Sequence, residues 1–530
     1  MLNRDASVGA QYWRDTFDDP TTLLGKGVGA EGSADEPPKF TVYRDVPRHS
    51  LPQRVPLRLG DLRAALAGRT PPAAWDQAAL GALLYYGYGF SRVDVGAVSG
   101  WPYHRMVPSA RCFYPTELYL WTPGTGDLPA GVYHYDQLHH CLAMMRPGDH
   151  REVLAAALGT GLDGARAVLL LTSDLWKTAF RYRHYAYRLC TQEAGMVAGN
   201  LLMVASALGL RGRLHHNFLD EVLGRLIGAR PGEETVLAAI PLRADAFSKR
   251  DAFSKRDAFS EGQAADRSSE GLFSRLDPVR PGRPELPVAK DLAAASTTYT
   301  IAAASVLTRT ADFAGLSVRQ APPGDEIVEL PEPGGADLAD ALRARHSGGT
   351  IFKPVRAPID TATLAAVLGD ALAPYRTDLG EGPYAEVYVV PLNVTGIPVA
   401  AYRLDRGGRR LHRTSGAPDG PINAGMRLGP PAVDFGTANA LVWVVADREA
   451  AQTDLGDRGY RILQQEAGVV AQRICVQAGA VGLAARVING YSTSGVQDML
   501  GVTGQGSTPI FQIVLGRRSE SPQYELPIVF

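Results

Sequence analysis

The sequence predicts an α+β chain made of two tandem copies of one unit, each an antiparallel-rich sheet packed on helices. Three observations predict it. "TQEAGMVAGNLLMVASALGL" from Thr191 recurs as "QQEAGVVAQRICVQAGAVGL" from Gln464, which sets Glu193 against Glu466 at an offset of 273 residues. The apolar run "AVLLLTSD", ending at Asp174, returns as "LVWVVAD", ending at Asp447, at the same offset. Between the copies lies "DAFSKRDAFSKRDAFSEGQAADRSSEG", a tandem hexapeptide whose charge and serine content suit a solvated linker. The boundaries that follow are an N-terminal arm over 1–50, a first unit over 51–244, a linker over 245–297 and a second unit over 298–530.

Each copy presents its elements in the same order. Two helical stretches come first. Strands follow at "ELYLW" and "GVYHYD" in the first copy and at "EVYVV" and "VAAYRLD" in the second, with Glu117 matched to Glu386 and Asp136 to Asp405 at an offset of 269. A further helix leads into the continuous apolar run, which reads as a buried strand, and then into the long helix. "TVLAAIPL" and "PIFQIVLG" close the two sheets. In the first long helix Gly195 and Gly199 fall one turn apart within a segment apolar on most sides. Glycine is costly in a helix unless close backbone approach offsets the cost, so this helix is expected to pack tightly on another, its own repeat counterpart.

Composition narrows the function classes. With 45% hydrophobic and 21% charged residues over 530 positions, the chain can bury at least two cores. Lysine plus arginine number 54 against 55 aspartates and glutamates, a balance that points to no nucleic-acid surface. The four cysteines, Cys112, Cys141, Cys190 and Cys475, are too far apart for paired metal ligation and read as buried thiols of a reducing, cytoplasmic compartment. The N-terminal stretch lacks the apolar core of a signal peptide, so export is not expected. The most membrane-like run, "GMVAGNLLMVASALGL", is short and contains Asn200 and Ser206, which favours a buried helix.

Two tempting motifs fail on context. "GTGLDG", Gly159 to Gly164, has dinucleotide-binding glycine spacing, but it follows a helical pattern and precedes a strand, the reverse of what that mechanism requires. The histidine pairs His139–His140 and His215–His216 lack the i, i+4 spacing of a zinc helix, so no metal is expected.

One contrast between the copies carries chemistry. "RARHSGGTIF" ends a helical stretch with arginine, histidine and serine ahead of two glycines, while the matching "DLRAALAGRTP" puts Thr70, Pro71 and Pro72 where His346, Ser347 and Gly348 stand. One copy offers hydrogen-bond donors and the other offers proline rings. Taken with "VPSARCFYPTELYL", "GVYHYD" and "RYRHYAYRLCTQEAGMVAGNLLMVASALGL", this segment resembles the flavin-dependent azoline dehydrogenases of the nitroreductase superfamily, which act in making thiazole- and oxazole-containing peptides, thiopeptides among them. The likeness spans nearly all of residues 37–518.

The resemblance implies a nitroreductase-like fold whose two units form an intrachain pseudo-dimer through packed central helices, with FMN in the crevice between them. It implies a phosphate and ribityl grip at Arg345, His346 and Ser347, where free N–H groups at Gly348 and Gly349 could surround a dianion. It implies a Pro-Ser loop over the flavin from the opposite unit, at Pro108, Ser109, Ala110 and Arg111. In the second copy Pro108 and Ser109 land on Thr377 and Asp378 at the 269 offset, which would set a carboxylate beside an anionic cofactor. Each half keeps what the other has lost, so one FMN per chain is expected. "RVINGY" places Asn489 and Gly490 where relatives present an N–H to the flavin N5 edge, and "LGRR" places Arg517 and Arg518 where basic residues reach the phosphate.

The same resemblance implies a Lys-Tyr pair before the long helix, matched here by Arg181 and Tyr182 and by Asp454 and Leu455 in the second copy. Arginine stays protonated, so Arg181 could lower the pKa of Tyr182 or orient substrate but would be a poor base; Lys177 is a nearby alternative. The expected reaction is oxidation of azolines to azoles in a ribosomally made precursor peptide, with the flavin reoxidised by dioxygen. A cyclodehydratase and a leader-binding protein are the implied partners. The competing expectations are a general NAD(P)H-dependent nitroreductase or flavin reductase, and a non-catalytic partner in a peptide-modifying complex.

Overall fold

A computed structural model describes residues 7–18, 36–95, 102–244, 267–279, 282, 290–319, 326–414, 432–519 and 524–528. The first half supplies β1 (Arg48–Ser50), β2 (Phe90–Val95), β3 (Tyr103–Arg105), β4 (Thr116–Thr122), β5 (Gly131–Asp136), β6 (Cys141–Pro147), β7 (Ala165–Asp174), β8 (Arg211–Leu214) and β9 (Glu234–Arg243). The second half supplies β10 (Ile327–Glu329), β11 (Tyr375–Thr377), β12 (Glu381–Gly382), β13 (Ala385–Pro391), β14 (Tyr402–Leu404), β15 (Arg410–Arg413), β16 (Ala440–Asp447), β17 (Leu483–Ile488), β18 (Ser507–Arg517) and β19 (Tyr524–Pro527).

The duplication is visible in the strand order. One sheet runs β1-β6-β5-β4-β7-β9-β8 and the other β10-β15-β14-β13-β16-β18-β17, the same sequence of equivalents across seven strands. Within these seven-strand series every pairing is antiparallel. The predicted buried strands are the sheet centres. β16 is buried along its whole length and β7 along all but its second and last residues, as expected for strands covered on both faces. The first sheet is then extended by the second unit, because β11 pairs in parallel with β8 and β12 follows it. In return, β19 from the chain's last described residues joins β2 and β3 of the first unit in a small third sheet.

The long helices, Ala186–Ala207 and Arg458–Ala480, cross at the centre. A Cβ on Gly195 would lie 2.1 Å from the carbonyl oxygen of Gln465, and one on Gly468 would lie 2.5 Å from that of Gln192. A Cβ on Gly199 would fall 2.9 Å from the Val469 Cα. The backbones therefore touch, and the expectation that Gly195 and Gly199 serve packing against the repeat counterpart holds. The polar residues in this seam pair across it: Gln192 donates to Gln464 at 2.9 Å and Gln472 to Asn200 at 3.0 Å.

The N-terminal arm, unassigned from sequence, docks into the same seam. The helix Ser7–Trp13 buries Tyr12 and Trp13, whose rings meet Tyr460 at 4.8 and 4.6 Å, and Arg188 donates to the Thr16 carbonyl at 2.6 Å. In the span read as a solvated linker, the hexapeptides lie outside the described residues, but Leu272 and Leu276 are buried against the first unit, with Leu226 and Ile227 in the same cluster. "GTGLDG" follows the context that ruled it out, since Gly159 closes the helix Arg151–Leu158 and β7 begins at Ala165. Cys141, Cys190 and Cys475 are buried as expected, while Cys112 is half-buried. Among the described residues no helix is long and apolar enough to cross a membrane.

Candidate functional site

The arginine-histidine-serine turn sits where the two units meet. It follows the helix Leu338–Ala344, whose N-cap Asp337 accepts from the N–H groups of Ala339 and Asp340 and also from Gly60 of the first unit at 2.9 Å. Arg345 is buried, and its guanidinium turns away from solvent. Nε donates to the Met106 carbonyl at 2.9 Å and Nη2 to that of Arg105 at 3.0 Å, while Arg92 donates to the Arg345 carbonyl at 3.1 Å. Burial, then the Arg92 charge, pulls its pKa down to about 10. Arg345 thus bolts the turn to the strand that leads into the Pro-Ser loop.

The next residues build an anion-attracting edge. Gly348 and Gly349 both take left-handed φ, at 83° and 80°. At Gly348 any side chain would also strike the Phe352 ring, 2.0 Å from an ideal Cβ. The Gly348 N–H donates to His346 Nδ1 at 2.7 Å, so it is not free as the sequence suggested. The N–H groups of Ser347 and Gly349 meet no acceptor among the described residues. Because Nδ1 accepts, the His346 proton sits on Nε2 and is donated to Glu525 at 3.0 Å. Arg518 reaches the same Glu525 oxygen at 2.5 Å, and Arg92 Nε lies 3.8 Å from the other. Burial would raise the Glu525 carboxyl, but the hydrogen bond and charge of His346, with Arg518 and Arg92, hold it down at about 2. Burial, helped by the Arg92 and Arg518 charges, lowers His346 to about 4 against the pull of Glu525. Arg486, on β17, donates Nε to the Ser347 carbonyl at 2.7 Å and Nη2 to that of Gly349.

The expected opposite wall is present. Ala110–Cys112 form one tight turn, and Arg111, Cys112 and Tyr114 all have left-handed φ, 51°, 58° and 49°. Three such non-glycine residues cost on the order of 1–3 kcal/mol each. The fold holds them: Ser109 Oγ accepts from the Tyr114 N–H at 2.9 Å, and Tyr114 Oη accepts from the Arg105 N–H at 3.0 Å. Beneath, Glu193 accepts from Tyr88 at 2.8 Å; burial pushes its carboxyl up, opposed by hydrogen bonds from Ser109 and Tyr88. Phe113 carries the loop onto the helix Trp176–Tyr182, its ring 5.0 Å from Phe180 and 6.3 Å from Tyr182. Arg181 is half-buried beside it, its Nε without a hydrogen-bond partner.

Asn489 and Gly490 follow β17. The Asn489 amide is held by Gln192 of the first unit, donating Nδ2 to Gln192 Oε1 at 2.7 Å, and by Arg188 at 3.4 Å. The N–H groups of Asn489 and Gly490 find no acceptor among the described residues. Their repeat equivalents at the 273 offset are His216 and Asn217, and there both N–H groups are capped by Asp378, at 2.9 and 2.7 Å. Asp378 is the residue that stands where the first copy has Ser109. At the other end of that twin crevice the chain closes on itself: a Cβ on Gly209 would lie 2.5 Å from the Pro71 carbonyl oxygen and from the Ala73 nitrogen.

Two sequence candidates stand elsewhere. Lys177, offered as a substitute base, is buried; its ammonium meets Glu117 at 2.5 Å and Thr41 at 3.0 Å, and Glu117 also contacts His134 at 2.9 Å. Five residues along a helix is about 140° of rotation, so Lys177 and Tyr182 occupy different faces. Arg517 is exposed at the end of β18 and reaches the turn only through the backbone pairing with β17; Arg518 reaches it through Glu525. Sequence reasoning missed Glu525, Arg92 and Arg486, none of which lies in a recognisable motif; the 273 offset from Arg213 to Arg486 on equivalent strands was the available signal for the last.

No family model matches the chain. It is similar to the microcin B17-processing protein McbC of Escherichia coli, 26% identical over 148 residues, which is 26% of this chain and 51% of that protein. It is similar to a candidate nitroreductase, MJ1384, of Methanocaldococcus jannaschii, 29% identical over 125 residues, 22% of this chain and 63% of that one. The chain therefore spans between half and two thirds of the length of these relatives. A solved structure of a candidate nitroreductase from Anabaena variabilis superposes with a TM-score of 0.69 at 20% identity, covering 97% of this chain and all of the other. The fold is thus nitroreductase-like, with both units and their pairing shared.

Proposed function

We propose that the chain is an FMN-dependent dehydrogenase that oxidises azoline rings to azoles, thiazoline to thiazole and oxazoline to oxazole, in a ribosomally made precursor peptide. The observation that carries the reading is the asymmetry of two equivalent crevices. One keeps open N–H groups at Asn489 and Gly490 beside the Pro-Ser loop and the Arg345 turn, and its twin is closed by Asp378 and the 71–73 segment. A single FMN per chain follows. Similarity to a microcin B17-processing protein supports a peptide substrate, and a cyclodehydratase with a leader-binding protein would deliver it.

The residues present fit the cofactor. Glu525 is an anion of the chain itself, stabilised at His346 and Arg518, and so reports that the turn favours negative charge. Ser347, Gly349, His346 and Arg518 would hold the phosphate, Pro108 to Arg111 would cover the flavin from the opposite unit, and Gly490 would donate its N–H to the ring edge. The bound flavin would take a hydride from the azoline carbon and give its electrons to dioxygen. Tyr182 takes the ring proton. Arg181, permanently protonated, would orient the substrate, and Phe113 packs against the tyrosine ring.

Purified chain should be yellow with one flavin per polypeptide, and an azoline-bearing peptide should lose two hydrogens per ring by mass spectrometry. A colourless protein that takes up no flavin, or one whose flavin bleaches with NADH while the peptide is untouched, refutes the reading.

A further inference from the structure

One buried cation beside the Asn489 loop has no counter-ion. Arg188, in the first turn of the first long helix, is 1% exposed, and its guanidinium meets no carboxylate among the described residues. Neutral groups alone hold it. Nη1 donates to the Thr16 carbonyl at 2.6 Å, and Nη2 reaches Asn489 Oδ1 at 3.4 Å, the Tyr491 hydroxyl at 3.3 Å and the Ile510 carbonyl at 3.1 Å. Nε has no hydrogen-bond partner. The ring centroids of Phe17 and Tyr185 lie 3.5 and 5.4 Å from the guanidinium carbon. A guanidinium does not shed its proton on burial, so an unpaired one costs stability, and the positive end of the helix dipole adds to that cost.

The repeat equivalent shows the paired alternative. Arg461, 273 residues on, donates Nη2 to Asp220 at 2.8 Å, and Arg458 donates to the other oxygen of that carboxylate at 2.7 Å. At the same offset the first long helix has Tyr185 in place of Arg458, and Thr493 stands in place of Asp220. Thr493 donates its hydroxyl to the Phe17 carbonyl, which brings the N-terminal arm against Arg188. The arm thus supplies a carbonyl and an aromatic face where the twin supplies a carboxylate. Both arrangements hold a guanidinium in place, but only the first leaves its charge to act on what lies beside Asn489.

We propose that Arg188 is a positioning residue for the cofactor: it fixes the Asn489 loop that presents the open N–H groups, and its uncompensated charge favours the reduced state of the flavin. The inference rests on the proposed function. Hydride transfer from the azoline carbon carries one negative charge onto the ring, and a cation fixed in a low-dielectric surround lowers the energy of that state.

The test is the midpoint potential of the flavin-loaded chain, read by equilibrium titration against a reference dye. Arg188→Met should shift the reduction equilibrium at least tenfold toward the oxidised cofactor, about 30 mV downward for a two-electron couple. Arg188→Lys keeps the charge and loses the fork, and should recover at least half of that shift. Asn489→Asp, nearly isosteric, leaves Arg188 and the arm in place and gives the guanidinium a carboxylate, so the potential should fall in this variant also. In the flavin-free chain the same substitution should raise the urea midpoint at neutral pH, because a buried cation gains a partner. An Arg188→Lys potential as low as that of Arg188→Met would reduce the residue to packing and overturns the proposal, as does an unmoved potential in Asn489→Asp or a lowered urea midpoint in its flavin-free form. A parent chain that takes up no flavin refutes the proposed function, whereas the urea comparison reads the unpaired charge of Arg188 without any cofactor.

Discussion

Glu525 sets a carboxylate against the one turn that the proposed function assigns to a phosphate, and the chemistry of that contact is testable by pH. Its carboxyl sits at about 2 against an ordinary 4.5, so its contribution to stability is complete above pH 4.5 and lost as pH falls toward 2. His346, at about 4 against 6.5, is buried in its neutral form, so the unfolded chain binds more protons between those values and stability climbs with pH across that window, by roughly 2–3 kcal/mol. His346→Gln should flatten the slope of unfolding free energy between pH 4 and 6.5, measured by urea denaturation; an unchanged slope would show that the imidazole is not buried neutral. Glu525→Gln removes the resident negative charge from His346 and Arg518, and should tighten FMN binding several-fold at neutral pH in a fluorescence titration. Tyr182→Phe should leave flavin content intact while lowering kcat on an azoline peptide by about 10²–10⁴, the range for loss of a general base. Lys177→Met, by contrast, strands Glu117 without its cation and should show up in stability rather than in the kcat of the folded fraction.

At the scale of elements, the long-helix crossing is the part of the fold most sensitive to a single atom. Gly195→Ala would force a methyl to within 2.1 Å of the Gln465 carbonyl oxygen, so the helices must separate, and a loss of about 3 kcal/mol is expected in a denaturation curve. Gly161→Ala meets nothing within 4 Å and should leave the curve within about 0.5 kcal/mol of the parent. This crossing was readable from sequence because its cause is local: two glycines one turn apart in an apolar helix have few other reasons to exist. The sheet centres were readable for the same kind of reason, since β7 and β16 are continuous apolar runs. The edges were not. β1, β10, β11 and β19 are three or four residues of ordinary sequence whose pairing is decided by distant strands, and β11 lies on a strand of the other unit. The site divides likewise. The Arg345 turn and the Pro-Ser loop are contiguous motifs, whereas Glu525, Arg92 and Arg486 reach the turn only because β19 crosses to β2 and β17 lies along the turn. The inward turn of Arg345 was likewise hidden, because its acceptors are backbone carbonyls of the opposite unit.

Across the whole molecule, duplication has left two crevices built from equivalent residues, and on the proposed function their divergence would decide how many cofactors the chain holds. At the crevice proposed to hold the cofactor Ser109 Oγ accepts from the Tyr114 N–H and leaves the Asn489 and Gly490 N–H groups unclaimed; at the twin, Asp378 spans the His216 and Asn217 N–H groups with both oxygens. A carboxylate that accepts two backbone N–H bonds is strongly held, so the twin is closed from within by charge as well as by the 71–73 segment. Removing the carboxylate alone does not reopen it: Asp378→Ser should still give one flavin per chain by absorbance, since the segment packed on Gly209 continues to fill the other end. The reciprocal exchange is more informative. Ser109→Asp places the same carboxylate in the crevice that is proposed to work, where it can cap Asn489 and Gly490 and repel the anionic cofactor, and FMN affinity of the folded protein should fall at least tenfold; because Ser109 also hydrogen-bonds the buried Glu193 carboxyl, the melting temperature of the flavin-free protein should fall as well. Two flavins in Asp378→Ser, or undiminished FMN binding in Ser109→Asp, would mean that the asymmetry of the crevices has no bearing on where the cofactor sits.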